Sequence, residues 1–297
     1  MAPAPVLVVG RSGQVATELG RLGEIAGRPV VALGRRDGFD LADLKAIGPD
    51  VGRIQPSLVI NAAAYTAVDR AETDTEAARA LNALGPGRLA EACAEAEIPL
   101  IHLSTDYVFN GGKAGAWTED DPVAPLGAYG RTKADGETLI RTATPRHVIL
   151  RTSWVFAGHG SNFVRTMLRL GREREALTIV ADQRGGPTPA ADIASTCARI
   201  AGGLLSGRDD GFGTFHYSGA PAVTWFEFAR AVFETAAQHG YHTPRLAPIP
   251  SSAYPTPAPR PANSVLDCGR IEQVWAIAQP DWRPAMEQAV ADLLPPT

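Results

Sequence analysis

The sequence predicts an α/β protein, a doubly wound parallel sheet of the Rossmann type with a smaller mixed α/β subdomain after it. Three observations predict this. Short apolar runs alternate with longer helix-period segments through residues 4–151, a glycine turn closes the first apolar run, and the alternation fades beyond residue 151.

Composition sets the outer bounds. At 297 residues the chain is about two domain lengths by the rough prior of ~150 residues each. With 45% hydrophobic and 20% charged residues, it is neither a disordered tail nor a small stapled module. Twenty-eight basic against 32 acidic residues give a net charge of -4, and no run of five like charges occurs. These features argue against a nucleic-acid or polybasic membrane partner. The early apolar run Val6–Val9 is too short for a signal-peptide core, and no stretch approaches the ~20 apolar residues of a bilayer span, so a cytoplasmic protein is expected. Cys93, Cys197 and Cys268 are odd in number and widely spaced, which predicts buried thiols rather than disulfides or metal ligands. Only Lys45, Lys113 and Lys133 are lysines; arginine is this chain's usual cation.

Taken in order, the first strand is Pro5–Val9, followed by strands at Val30–Leu33, Leu58–Asn61, Leu100–Ser104 and His147–Arg151. Helical periodicity fills 13–26, 41–54, 74–96 and 128–143 between them, with Gly or Pro near several ends. Beyond lie a helix near 161–174, a strand near 177–180, a helix near 190–205, a strand near 213–217 and a helix near 224–239. Repeated X-Pro steps from Pro244 to Pro261 block helix, and Ile249 and Tyr254 within them predict an ordered arm returning over the sheet rather than a linker. An apolar helix near 284–294 ends the chain. The expected division is a dinucleotide-binding domain at 1–155 and a substrate-binding subdomain at 156–297, with the chain free to cross back.

The turn after the first strand reads Gly10-Arg-Ser-Gly13-Gln-Val-Ala16. Glycines there let backbone approach a pyrophosphate, whose charge the helix N-terminus stabilises, and Ala16 is small enough for helix packing. An ordinary strand-to-helix turn would look similar, but the placement in the first strand-helix unit favours nucleotide binding. No acidic residue ends the second strand to meet the ribose hydroxyl of NAD. Arg35 and Arg36 stand there instead and suit the 2′-phosphate of NADP, unless they are plain surface residues. Asp40 and Leu41 follow where the adenine edge would lie.

Ser104-Thr105-Asp106 follows the fourth strand, and Tyr129 and Lys133 stand four apart on a predicted helix, so their side chains leave the same face. A hydroxyl, a phenol and an amine suit carbonyl reduction. As hydride reaches carbon, charge grows on oxygen. A phenol of pKa ~10 can protonate that oxygen if Lys133 lowers its pKa, while Thr105 hydrogen-bonds the same atom.

Seven motifs stand in order along almost the whole chain: Asn61 to Glu72, Ser104 to Phe109, Tyr129 to Lys133, Arg151 to Phe156, Asn162 to Met167, Asp182 to Thr188 and Arg260 to Ser264. Together they resemble the dTDP-4-dehydrorhamnose reductase family of the extended short-chain dehydrogenase/reductase superfamily. The resemblance implies reduction of the C4 ketone of dTDP-4-dehydro-L-rhamnose to dTDP-L-rhamnose with NADPH, NADH being the alternative. It implies Tyr129 as proton donor, Lys133 as its partner and Thr105 as the tuning hydroxyl. Gly10, Ser12, Gly13, Gln14 and Val15 would line the pyrophosphate, Asp40 and Leu41 the adenine, and Ala62, Ala63, Ala64, Tyr65 and Leu103 the rest of the cofactor. Thr66, Asp106, Phe109 and Trp154 would meet the deoxysugar and its carrier, although Trp154 also fits a core position. Arg260 would hold the diphosphate.

Departures from the family are few. Ala16 replaces a frequent glycine, and Arg35-Arg36 follow where an aliphatic strand end is usual, which leaves NADH against NADPH open. The helix beginning at Pro189 lacks the glutamate with which some members hold magnesium at a dimer contact, so no metal is expected. The expected partner is a dTDP-sugar, and a homodimer is compatible with the reading. A sugar-nucleotide epimerase or dehydratase would share the fold but would more often begin its turn with Thr-Gly. A non-catalytic regulatory relative would not need Thr105, Tyr129 and Lys133 together.

Overall fold

The computed structural model describes residues 3–294. Strand β1, Val6–Val9, is buried throughout, and its side chains alternate between two cores. Val6 and Val8 meet helix α1 (Gln14–Arg21), whereas Leu7 and Val9 meet helix α2 (Leu44–Ile54) on the opposite face. This alternation is what a sheet covered on both sides requires.

The hairpin β2 (Glu24–Ile25) and β3 (Arg28–Leu33) lies on one side of β1. On the other lie β4 (Leu58–Asn61), β5 (Leu100–Thr105), β6 (His147–Thr152) and β11 (Gly213–His216), giving the order β11-β6-β5-β4-β1-β3-β2. All pairs are parallel except β2 with β3. The order reverses beside β1, so the crevice at the C-terminal ends of β1 and β4 is the ligand position of such sheets.

Two expected helices differ. The one expected over 13–26 stops at Arg21, because the chain turns back through Ala26 (φ 51°) and Gly27 (φ 71°), a two-residue connection with positive φ at both positions that closes the β2–β3 hairpin. The one expected over 74–96 is α3 (Thr75–Arg79) and α4 (Gly85–Glu95), joined by a π-turn at Ala80–Leu84. That turn carries Asn82 inward. The helix α5 (Ala128–Ala143) spans its expected range.

Beyond β6 come β7 (Val155–Phe156), α6 (Phe163–Glu173), β8 (Ala176–Val180), β9 (Arg184–Gly185) and β10 (Thr188–Pro189). The chain then crosses back. Helix α7 (Ala190–Leu205) packs in the same core as α1, and β11 joins the main sheet beside β6. It leaves again for β12 (Val223–Thr224) and α8 (Trp225–Gln238), which starts with a Thr224/Glu227 capping box.

The proline-rich segment is ordered. Its β13 (Arg245–Ile249) pairs in parallel with β8, and Ala258 N–H donates to Asp69 Oδ1 at 3.2 Å. The arm thus runs across the mouth of the cleft. After β14 (Asn263–Ser264), α9 (Gly269–Trp275) joins the core on the α1 face, whereas α10 (Trp282–Leu293) packs in a separate third core with α6, β8 and α8. The three cysteines are buried free thiols.

Candidate active site

Gly10 ends β1 with φ 109°, and its N–H donates to Leu33 O at 2.7 Å. A Cβ there would lie 3.1 Å from Ala63 N, so glycine is required by both conformation and space. Gly13, at the N-cap of α1, is different. Its φ is ordinary, and a Cβ would meet nothing nearer than Ala62 O at 3.9 Å. No side chain caps the helix, so its first N–H groups face an open cradle flanked by Ala62 and Ala63. A dinucleotide pyrophosphate fits that cradle. Ser12 is exposed beside it, and Val15 is buried. The Gln14 side chain accepts from Asn162 Nδ2 at 2.9 Å, tying the cradle to the start of α6.

At the end of β3, Asp37 pairs with Arg11 and accepts from Gly34 N–H at 3.1 Å. Arg35 and Arg36 are exposed and have no ion pair among the described residues. Asp40 Oδ1 accepts from Ala42 N–H at 2.9 Å, and Leu41 is buried in the core of that face. Past β4, Ala62, Ala63, Ala64 and Tyr65 are half-buried and Thr66 is exposed. Asn82 holds this segment: Oδ1 accepts from Tyr65 N–H at 2.8 Å, and Nδ2 donates to Tyr65 O at 3.1 Å.

The three candidate catalytic groups meet where β5 ends and α5 begins. Thr105 Oγ1 donates to Asp106 Oδ1 at 3.0 Å and accepts from Tyr107 N–H at 3.2 Å. Burial pushes the Tyr129 phenol up to about 12, Thr105 pulls it partly down, and the Asp106 charge raises it further. Asp106 is itself raised to about 6 by burial, which outweighs the lowering influence of nearby Ser264 and Thr105; Thr105 holds Oδ1, and Oδ2 makes no hydrogen bond of ordinary geometry among the described residues. Lys133 is buried, and its Nζ turns to Leu103 O (2.6 Å) and His102 Nε2 (3.0 Å). Burial lowers its pKa to about 8, against a raising contribution from Glu137 one turn on.

Glu137 anchors this end of α5. Ser104 Oγ donates to it at 2.6 Å, Arg151 through Nε at 2.9 Å and Nη2 at 2.7 Å, and Arg141 at 2.6 Å. Burial acts to raise the carboxyl, but these donors win and its pKa is lowered.

A cavity of about 830 Å³ opens beside the site, lined by residues including Asp69, Tyr107, Phe163, Trp225, Tyr254 and Arg260. Tyr107 links it to the reacting groups, packing edge-on against Tyr129 with centroids 5.5 Å apart. Trp154 adopts left-handed backbone (φ 48°) and stacks on Trp225 at 3.4 Å, so it is not an ordinary strand residue. Arg260 donates to Asp69 Oδ1 at 2.8 Å and to Ala258 O at 3.1 Å. Phe109 requires a correction. It is 1% exposed, stacked on Trp117 at 4.6 Å and covered by the Arg151 guanidinium, so its ring packs in the core rather than lining the cavity.

The family model described as RmlD substrate binding domain matches residues 4–294. A dTDP-4-dehydrorhamnose reductase of Aggregatibacter actinomycetemcomitans is 41% identical over 96% of this chain and 97% of its own. The chain belongs to the dTDP-4-dehydrorhamnose reductase family. Among solved structures, a dTDP-4-dehydrorhamnose reductase of Clostridium acetobutylicum superposes with a TM-score of 0.89 at 31% identity, covering 97% of this chain and 98% of that one. One from Bacillus anthracis, in complex with NADP, gives 0.89 at 30% identity over 98% and 100%.

Within this dTDP-4-dehydrorhamnose reductase framework, the structure adds His102, Asn82, Glu137 and Trp225, and gives partners to Asp69 and Arg151, which stand in the sequence motifs without a role. His102 carried a signal, since a polar residue interrupts the apolar run of β5 and sits in register with Asn61 on β4. Asn82 did not, because nothing in its spacing marks a π-turn.

Proposed function

We infer that the protein reduces the C4 ketone of dTDP-4-dehydro-L-rhamnose to dTDP-L-rhamnose, with NADPH as the preferred cofactor. The observation that carries this reading is that Tyr129, one helical turn from Lys133 and acting with Thr105, packs on Tyr107, which with Arg260 lines a cavity of about 830 Å³, a volume suited to a sugar nucleotide. When bound, the dinucleotide supplies the hydride.

The chain's own residues do the rest. The N-terminus of α1, with Gly10, Ser12, Gly13, Gln14 and Val15, holds the pyrophosphate. Arg35 and Arg36 face the 2′-phosphate. Asp40, Leu41, Ala62, Ala63, Ala64, Tyr65 and Leu103 border the remainder, with Asn82 fixing the Tyr65 backbone. Tyr129 gives its phenolic proton to O4, and the Thr105 hydroxyl swings from Asp106 to the same oxygen as charge develops. Asp106 Oδ2, buried and unpartnered among the described residues, is an acceptor for a sugar hydroxyl. Trp154 on Trp225 offers an aromatic face, and Arg260 a guanidinium for the diphosphate.

The test is loss of nicotinamide absorbance on adding dTDP-4-dehydro-L-rhamnose, generated in place by the preceding dehydratase and epimerase, with NADH and NADPH in parallel. Sugar-dependent oxidation is expected, faster with NADPH at low cofactor concentration. No oxidation with either cofactor by folded protein refutes the reading.

A further inference from the structure

Lys133 does not stand beside Tyr129 as a bare cation. Its Nζ ends a buried chain in which Asn61 Nδ2 lies 3.0 Å from His102 Nδ1, and His102 Nε2 lies 3.0 Å from Nζ. All three side chains are buried.

The proton positions along this chain follow by elimination. Ala63 N–H donates to Asn61 Oδ1 at 3.1 Å. A backbone N–H can only donate, so the amide oxygen faces Ala63, and the amide nitrogen, which carries only donors, faces His102. His102 Nδ1 must therefore accept. In a neutral imidazole the single proton then sits on Nε2, pointing at Lys133. Nζ can meet an N–H donor only with a lone pair, and an amine has one where an ammonium has none. The amine keeps two N–H bonds, one of which serves Leu103 O. An imidazolium would set N–H against the Asn61 amide, and burial opposes it.

We propose that His102, oriented by Asn61, is a positioning residue that holds Lys133 as a neutral amine in the cofactor-free protein. Lys133 gains its charge only when it leaves His102 and takes a proton from solvent, Lys-NH2 plus H⁺ giving Lys-NH3⁺. The ionisable groups around it are Glu137 on its own helix, with Arg141 and Arg151 on that carboxylate, His147 on β6 near His102, and Tyr129 and Asp106 toward the cleft. Of these, Glu137 favours the ammonium, but its charge is already shared with two arginines and Ser104.

The consequence for catalysis rests on the reductase reading. Tyr129 would stay a firm phenol until the nicotinamide ribose hydroxyls draw Lys133 off His102, so that activation of the phenol waits for the cofactor. The protonation state itself does not rest on that reading and can be read without any turnover.

With only three lysines in the chain, 13Cε-lysine NMR of cofactor-free protein gives three signals, and loss of one in Lys133→Met assigns Lys133. Burial brings it to about 8, against an ordinary lysine value of ~10.4, and the His102 N–H facing Nζ should take the midpoint below about pH 7, so that the amine prevails at neutral pH. His102→Gln lets an amide oxygen face Nζ and should raise the midpoint by at least one pH unit, a tenfold gain in proton affinity. The pH profile of kcat should move with it, whereas a merely structural loss lowers kcat at every pH alike. A wild-type midpoint at pH 8 or above overturns the proposal, because Lys133 would then be an ammonium at neutral pH. So does an unchanged midpoint in folded His102→Gln. A low midpoint in a protein that oxidises neither cofactor sustains this proposal while removing the reductase reading.

Discussion

The inner wall of the cleft is formed by the ends of β4, β5 and α5, where two buried polar chains run, Asn61–His102–Lys133 and Ser104–Glu137–Arg151–His216. The outer wall is the arm at 244–261, fastened by half-exposed pairs such as Arg260 with Asp69 and Ser251 with Asp182. A polar group buried without a partner costs about 1–3 kcal/mol, so each member of an inner chain is held from several sides. Partly exposed ion pairs contribute roughly 0–1 kcal/mol, so the stretch of the arm beyond the β13–β8 ladder can part for a large ligand at little cost. On the proposed function, the reacting groups thus sit on the rigid wall and the substrate surface on the yielding one.

The largest test of this division removes the acid itself. Tyr129→Phe should lower kcat by roughly 10²–10⁴-fold, about 3–5 kcal/mol, with cofactor Kd nearly unchanged. Full activity would take Tyr129 out of the chemistry. Next, Glu137→Gln leaves the buried Arg151 guanidinium without its counter-ion and should cost about 3–5 kcal/mol in urea unfolding. Asp69→Asn, on the outer wall, should cost less than about 1 kcal/mol in the same measurement. Equal losses would erase the distinction between the walls.

A third, smaller effect works in the opposite direction. Burial raises Asp106 to about 6, from an unfolded value of ~3.9. Below pH ~3.9 both states hold the proton and Asp106 is neutral in its effect. Between there and pH 6 the folded state holds a proton that the unfolded state has lost, so stability falls as pH rises, and above 6 the full cost persists. Asp106→Asn should therefore be more stable than the parent at pH 8, by up to about 3 kcal/mol, and less active. Thermal unfolding at pH 4 and pH 8 checks the sign: a gain confined to pH 4 contradicts it.

The two walls also differed in how far they could be read in advance. That Thr105, Tyr129 and Lys133 would lie close together was legible because strand ends and an i, i+4 spacing are local patterns, and six of the seven strands of the main sheet were legible because buried parallel strands are mostly short apolar runs. The partners of those residues were not. His102 and Asn61 sit one on each of two strands 41 residues apart, and only the register of β4 with β5 brings them together. Phe109 was expected at the ligand because an aromatic next to a functional motif looks the same whether it faces a ligand or packs, as here, on Trp117. In the second region, β7, β9, β10, β12 and β14 are two residues each, too short to carry a period, and their pairing is decided by distant segments such as Asn263–Ser264 against Arg184–Gly185.

The smallest effect concerns the far edge of the cofactor cradle. Asp37 is already satisfied by Arg11 and by Gly34 N–H, which leaves Arg35 and Arg36 as the unpaired cations of that turn among the described residues. An exposed guanidinium on a phosphate acts through screened charge and one or two hydrogen bonds, so replacing both by alanine should weaken NADPH by about tenfold, roughly 1.4 kcal/mol, while NADH changes little. The difference should shrink as salt rises from 50 to 500 mM, because the interaction lies in solvent. Equal weakening of the two cofactors would mean that these arginines stabilise the turn rather than read the 2′-phosphate, and cofactor choice would then fall to the neighbouring Arg11, freed whenever Asp37 lets go of it.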